Sequence, residues 1–302
     1  MGSRESNEVK ERMEAMQSTQ AKQLKDLEAW VGRSESRMDR VTAAPVAALA
    51  ATLDRADPEP LPGSELPPLW HWLYFLPMAR HSEIDVDGHP CRGGFLPPVP
   101  LPRRMWAGGR LDFEQPLRVG DEISRLSRIA SVDVKEGRSG PLVFVTVRHE
   151  ISSTRGLALT EEHDIVYREA PRPDAPAARP QPAPDDATFR RDITPDPVLL
   201  FRYSALTFNG HRIHYDRSYV TGVEGYPGLI VHGPLIATLL VDLLRRESPD
   251  TRLRRFEFRA LRPIFDIHPF SVCGRHDGAN RHSLWARDHE GFLAMQATAE
   301  TA

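Results

Sequence analysis

A sixteen-residue stretch, PRPDAPAARPQPAPDD at positions 171–186, divides this 302-residue chain and limits what it can become. Proline lacks a backbone donor and has a fixed φ, so the stretch forms neither helix nor central strand. Its alanines and acids bury almost nothing, so it is expected to be a semi-extended linker. The lengths on either side each suit one domain. The expected organisation is therefore a helical lead-in over residues 1–21, an N-terminal domain over 22–170, the linker, and a C-terminal domain over 187–302.

The two halves follow similar patterns. Residues 7–32 favour helix but are weakly amphipathic, and a short helical stretch lies around 43–53. A proline-rich run over 58–68 leads into LWHWLYFL (69–76), which is apolar all round and is expected to be buried. From Gly109 to Arg168 apolar residues alternate with polar ones between turn residues. Leu142 to Val147 is nearly continuous and β-branched, which suits a strand covered on both faces.

Beyond the linker, residues 234–246 carry Leu235, Ile236, Leu239, Leu240, Leu243 and Leu244, a nearly all-buried helix. Strands are expected at 254–259, 270–275, 283–287 and 292–298. Arg110-Leu111-Asp112-Phe113 followed by Pro116-Leu117 is echoed by Arg255-Phe256-Glu257-Phe258 followed by Pro263-Ile264. That internal repeat predicts an α+β fold: two tandem hotdog units, each an antiparallel sheet wrapped around a helix, with the sheets paired edge to edge.

Composition removes several functional classes. The charge is −3, from 39 basic and 42 acidic residues, with no basic excess of the kind nucleic acid attracts. No apolar run approaches the ~18 residues of a membrane span, and the charged first twenty residues hold no signal-peptide core. Cys91 and Cys273 stand alone, which suits free thiols in a reducing compartment. A cytoplasmic protein is expected. Walker-type and GxGxxG loops are absent, so nucleotide hydrolysis and hydride transfer lack support.

Reactive residue types concentrate in YSALTFNGHRIHYD (203–216) and GYPGLIVHGPL (225–235). This region resembles the MaoC-like (R)-specific hydratase and dehydratase family, whose signature is Asp-x-Asn-Pro-x-His with His-Gly downstream at a helix start. Within that family it is similar to the branch of itaconyl-CoA and mesaconyl-C4-CoA hydratases and mitochondrial 3-hydroxyacyl-thioester dehydratases. The string GGFLPPVPLPRRMWAGG (93–109) resembles the non-catalytic partner domain of that branch.

The resemblance implies a hydro-lyase that adds water to a short branched or dicarboxylic enoyl-CoA, itaconyl-CoA or mesaconyl-C4-CoA giving citramalyl-CoA. Dehydration of 3-hydroxyacyl thioesters is the same chemistry reversed, and an acyl-CoA binding protein is the alternative of another class. No cofactor beyond the CoA of the substrate is implied, and a homodimer or higher homo-oligomer is expected.

Carried over by position, the family's catalytic histidine is His214 and its catalytic aspartate falls on Asn209. That is a departure, because an amide can orient but cannot exchange a proton. An Asn209-Gly210 turn is an equally good reading of that residue. Histidine near ~6.5 suits acid/base work at neutral pH. Gly233, before Pro234 at a helix start, is expected to offer its N–H to the thioester oxygen. Tyr226, Val231 and His232 are expected to line the substrate site.

Arg255 and Arg259, in a basic stretch with Arg252, Arg254 and Arg262, are expected either to meet the CoA phosphates or to face solvent. Asp216 and Glu224 are candidate replacement carboxylates or plain loop charges, and His81 is a weak match for a second histidine. His211, His214 and His232 lack the usual zinc spacing, so no metal is expected.

Overall fold

A computed structural model describes residues 23–137, 140–169 and 179–302. The lead-in over 1–21 and the first half of the linker, 171–178, lie outside the described residues. In the first half, β1 (Ser34–Arg40), α1 (Ala43–Thr52), β2 (Arg103–Phe113), β3 (Glu122–Gly137), β4 (Gly140–Ser153) and β5 (Gly156–Arg168) follow in chain order. The second half runs β6 (Phe189–Ile193), α2 (Pro197–Leu206), α3 (Arg217–Gly222), α4 (Gly233–Glu247), β7 (Leu253–Ala260), β8 (Phe270–His276), β9 (Arg281–Arg287) and β10 (Leu293–Thr301).

All ten strands form one antiparallel sheet in the order β1-β3-β4-β5-β2-β7-β10-β9-β8-β6. The halves meet where β2 pairs with β7, Leu111 opposite Phe256 and Asp112 opposite Arg255. The two strings that echo each other in sequence are therefore the two strands that join the units. Each shields the other's edge from stray pairing. Gly109 makes the join close: a Cβ there would lie 2.9 Å from the Phe258 ring.

Helix α4 buries ten consecutive residues, Leu235 to Leu244, and packs on β6, β8, β9 and β10. Each fully buried aliphatic side chain contributes roughly 1.5–3 kcal/mol by area, an upper figure. In the first half the covering element is shorter. Ten-residue α1 packs against α2 and against a 3₁₀ turn, Trp70–Leu73. Trp70 and Leu73 complete the core there, with Leu66 and Leu69 beside them. Prolines at 67, 68 and 77 bracket this segment, so it cannot extend into a second long helix.

Asp242, 1% exposed, ties the halves together. It accepts from Arg55 at 2.7 Å, Arg246 at 2.7 Å and Arg191 at 3.3 Å. The described part of the linker passes along the second half, with Pro182 bridged to Phe292. Cys91 is exposed and Cys273 buried, both as free thiols. Among the described residues no helix is long and apolar enough to cross a membrane.

Candidate active site

Helix α2 ends at Leu206, and Phe208 turns the chain at φ 50°. Asn209 then accepts the His211 N–H through Oδ1 at 3.0 Å, so it does cap a turn, and it also lines a cavity of about 440 Å³. A 3₁₀ turn, Arg212–His214, follows and places His214 inside, 7% exposed. Asp216 caps α3 by accepting the Tyr219 N–H at 3.0 Å and pairs with Arg212 at 2.8 Å, so it is a structural carboxylate.

The His214 ring has a defined tautomer. Its Nδ1 lies 2.7 Å from the Ile230 carbonyl oxygen, which can only accept, so Nδ1 carries the hydrogen. Nε2 is then a lone pair, and it meets no protein donor among the described residues. The ring stacks on His232 with centroids 3.7 Å apart and planes 18° from parallel. Burial pushes the pKa of His214 down to about 4, against the opposing pull of the Ile230 carbonyl. At neutral pH His214 is therefore an uncharged base.

His232, fully buried, does not line the cavity, so the expectation for it needs correcting. It sits behind His214, with Nε2 2.8 Å from Ser204 Oγ on α2. Burial and the neighbouring His214 and His211 hold its pKa well below the usual value. A second charge against a stacked imidazole would be costly, so both rings stay neutral.

The next residue, Gly233, opens α4 and lines the cavity beside Val231 and Pro234. A Cβ at Gly233 would meet nothing within 4 Å, so the protein's own packing does not require glycine there. The bare backbone leaves space for a ligand to approach the helix end. The N–H of a first helical residue has no intrahelical acceptor, and the helix dipole favours negative charge at that point. His214, Asn209, Gly233, Val231 and Tyr226 thus line one cavity.

Tyr226 OH accepts from Arg103 at 2.6 Å, and Arg103 also pairs with Glu224 at 3.1 Å, so Glu224 is neutralised at the cavity wall. Arg255 and Arg259 do not reach this cavity. On β7 the core takes Phe256 and Phe258, which sends Arg255, Glu257 and Arg259 to the exposed side. Arg255 pairs with Asp112 at 3.4 Å in a separate cleft with Arg254 and Arg281. Of the basic stretch only Arg262 lines the His214 cavity, where it pairs with Asp288 at 3.2 Å.

Sequence reasoning gave the first half the shaping of the acyl pocket but did not name the residues it contributes to this cavity. Asp87, His89, Arg103, Arg104, Trp106 and His163 all line the His214 cavity. Asp87, His89 and His211 bring three ligand-type atoms within 4.8 Å of one another, a group that excludes His214 and His232. Arg104 makes no ion pair with a carboxylate among the described residues. The available signal was Asp87-Gly88-His89-Pro90, a turn with two titratable groups just ahead of the Gly93-Gly94 string. A larger cavity of about 1200 Å³ adjoins, sharing His89, Arg104, Asn209 and Pro234, and His81 lies in its wall.

His214, a neutral buried imidazole, and the bare helix end at Gly233 line one cavity, an arrangement that suits a hydro-lyase of acyl thioesters. The comparisons with known proteins agree. The chain belongs to the hydroxyacyl-thioester dehydratase type 2 family, whose model matches residues 69–266. It is 49% identical over 278 residues to the mesaconyl-C(4)-CoA hydratase of Chloroflexus aurantiacus, covering 91% of this chain and 98% of that one. A solved MaoC-like dehydratase superposes with a TM-score of 0.69 at 16% identity, over 91% of this chain and 99% of the other. A Mycobacterium tuberculosis protein described as having a double hotdog fold matches with a TM-score of 0.58 at 14% identity, over 92% and 98%.

Proposed function

We propose that this protein is a hydratase of short dicarboxylic or branched enoyl-CoA thioesters, with mesaconyl-C4-CoA the favoured substrate. The carrying observation is the His214 Nε2 lone pair opening on the same cavity as the Gly233 helix end. His214 takes a proton from water as the oxygen bonds to the β-carbon. The double-bond electrons move toward the thioester oxygen, which the Gly233 N–H stabilises. His214 then returns its proton to the α-carbon.

An aimed donor is worth about 3–4 kcal/mol of barrier, and a positioned acid/base group roughly 10²–10⁴-fold. The sequence is redox-neutral and asks for no cofactor.

Two things support a dicarboxylic substrate: the likeness to the Chloroflexus enzyme and the Arg104 guanidinium without a carboxylate in the cavity wall. The adjoining larger cavity has room for the remainder of the CoA ester. In this reading the first half shapes the acyl pocket, and the protein works in the cytoplasm as a homodimer or larger homo-oligomer.

The test follows the enoyl-thioester absorbance on mixing mesaconyl-C4-CoA with wild type and with His214→Ala. Wild type should consume the absorbance and the variant should be slower by roughly 10²–10⁴-fold. If wild type binds the ester and leaves its spectrum unchanged, the protein is an acyl-CoA binder and the proposal fails.

A further inference from the structure

The mechanism above gives the attacking water one base, although a water molecule has two hydrogens to be held. Asn209 occupies the position where the resemblance places an aspartate, and its Oδ1 already accepts the His211 N–H. That contact ties Asn209 to its own turn, and the first half offers a second holder for the water.

A loop of the first half is fitted to that place. Residues 84–90 close on themselves through a bridge between Ile84 and Pro90. The loop then locks onto the turn that carries His214. Arg212 N–H donates to the Asp87 carbonyl at 2.9 Å, and the Arg212 side chain donates to the Val86 carbonyl at 3.0 Å. Gly88, at φ 90°, lies so near Gly210 that a Cβ would fall 1.9 Å from the Gly210 carbonyl oxygen. Only glycine permits this approach. Its effect is to bring Asp87 and His89 into the wall of the His214 cavity.

There the Asp87–His89 pair repeats the arrangement seen at His214. His89 Nδ1 lies 3.0 Å from Asp87 Oδ2, and the Asp87 carboxylate is held ionised, so Nδ1 carries the hydrogen. His89 Nε2 meets no protein donor among the described residues, which leaves it a lone pair. The rings follow one another along the wall, His89 to His211 at 4.0 Å and His211 to His214 at 5.4 Å.

We propose that His89, oriented by Asp87, is a second catalytic residue of this site, accepting a hydrogen bond from the attacking water while His214 takes its proton. His214 Nε2 removes one hydrogen as the new C–O bond forms, and that proton goes to the α-carbon. His89 Nε2 accepts a hydrogen bond from the other, which stays on the product hydroxyl. One water is added and nothing else is consumed. Asp87 acts through His89 and is a positioning residue. The inference rests on the hydratase reading.

The test takes whichever enoyl-CoA the wild type hydrates. If wild type hydrates none, the hydratase reading fails before His89 is examined. With an active wild type, His89→Ala should lower kcat about 100-fold and leave KM within about threefold. Added imidazole should restore at least about tenfold of that, which a merely structural loss would not allow.

The charged and titratable groups facing His89 are Asp87, Arg92, Arg104, His211 and His214. Asp87→Asn removes the one that favours protonation, so the acid limb of the kcat profile should move to lower pH, and Asp87→Glu should move it back. A kcat within about threefold of wild type in a folded His89→Ala overturns the inference. So does a loss without imidazole rescue and without movement of the acid limb. One equivalent of zinc in the isolated protein that disappears in His89→Ala also overturns it, since the lone pair would then be a ligand.

Discussion

Each half of the molecule holds a cluster of imidazoles, and the two clusters differ in where a carboxylate sits. In the first half His71, His163 and Trp72 all point a ring N–H at Glu161, a carboxylate only 2% exposed. His149 lies against His163, with Nδ1 2.8 Å from Ser127 Oγ. In the second half His214 and His232 stack over Ser204, with His211 and the visiting His89 alongside, and no carboxylate reaches His214.

A buried carboxylate turns the nitrogens facing it into donors and removes their lone pairs. The cluster around Glu161 is therefore a fastening. Without a carboxylate, desolvation keeps the rings neutral and leaves Nε2 of His214 free to accept. Which ring nitrogen the buried acceptor takes thus separates the two settings: Glu161 takes Nε2 of His71 and His163, whereas the Ile230 carbonyl and Asp87 take Nδ1 of His214 and His89 and leave Nε2 open.

Glu161→Ala tests the fastening and should give the largest change in stability. Burial raises the carboxyl pKa, but the charges and hydrogen bonds of His163 and His71 outweigh it and hold Glu161 well below its usual range. Removing it strands three donors, that of His71 fully buried, and breaking such a buried pair costs about 3–5 kcal/mol. Denaturant unfolding at pH 7.5 should show that loss. A change under about 1 kcal/mol would mean the cluster relaxes without its carboxylate, and the contrast between the halves would fall.

The open cluster should reveal itself through acid. An imidazole whose folded pKa lies below the unfolded ~6.5 stays neutral in the fold while the unfolded chain takes up a proton. Its contribution is whole above about pH 6.5 and is lost as pH falls toward the folded value. For His214, held at about 4 by burial, the loss between pH 7.5 and 4.5 comes to about 2–3 kcal/mol. Unfolding of wild type and His214→Gln at both pH values isolates this, because the other titrating groups are common to both proteins. The wild type should lose about 2–3 kcal/mol more than the variant. Equal losses would show that His214 protonates freely in the fold.

How much of this was legible in the sequence depends on the range of the contact involved. Alternation is a local property, so β2 to β5 and β7 to β10 could be read within a few residues, as could α4 from its run of leucines. The repeat pointed to two sheets paired edge to edge, but which strands meet was not legible; the structure joins them through the repeated strings, β2 beside β7. His214, Asn209 and Gly233 were legible because a single stretch of chain carries them.

Asp87 and His89 were not, because they reach the site through backbone contact between Gly88 and Gly210, residues with no local relation. The expected lining role of His232 failed for a related reason. The residue opening a helix can point into a cavity or behind it, and only the placement of Ser204 on α2 decides which. The short helix expected around 43–53 is α1, and prolines confine the buried aromatic segment beside it to a 3₁₀ turn.

The smallest expected effect concerns Arg255 and Arg259, which lie on the strand that joins the two halves. Residues two apart on a strand share a face, so Arg255, Glu257 and Arg259 form one row and Phe256 and Phe258 another. Gly109 admits the Phe258 ring, which fixes the phenylalanine row inward and the arginine row outward, away from both histidine clusters. Arg255 meets Asp112 across the join, both side chains nearly half exposed, and such a pair contributes about 0–1 kcal/mol. The double variant Arg255→Gln, Arg259→Gln should therefore keep kcat and KM for the CoA ester within about twofold of wild type. A KM raised tenfold or more in the variant, with the wild-type KM rising as salt is added, would place the CoA phosphates on this outer row. The join between the halves would then be a binding surface as well as a seam.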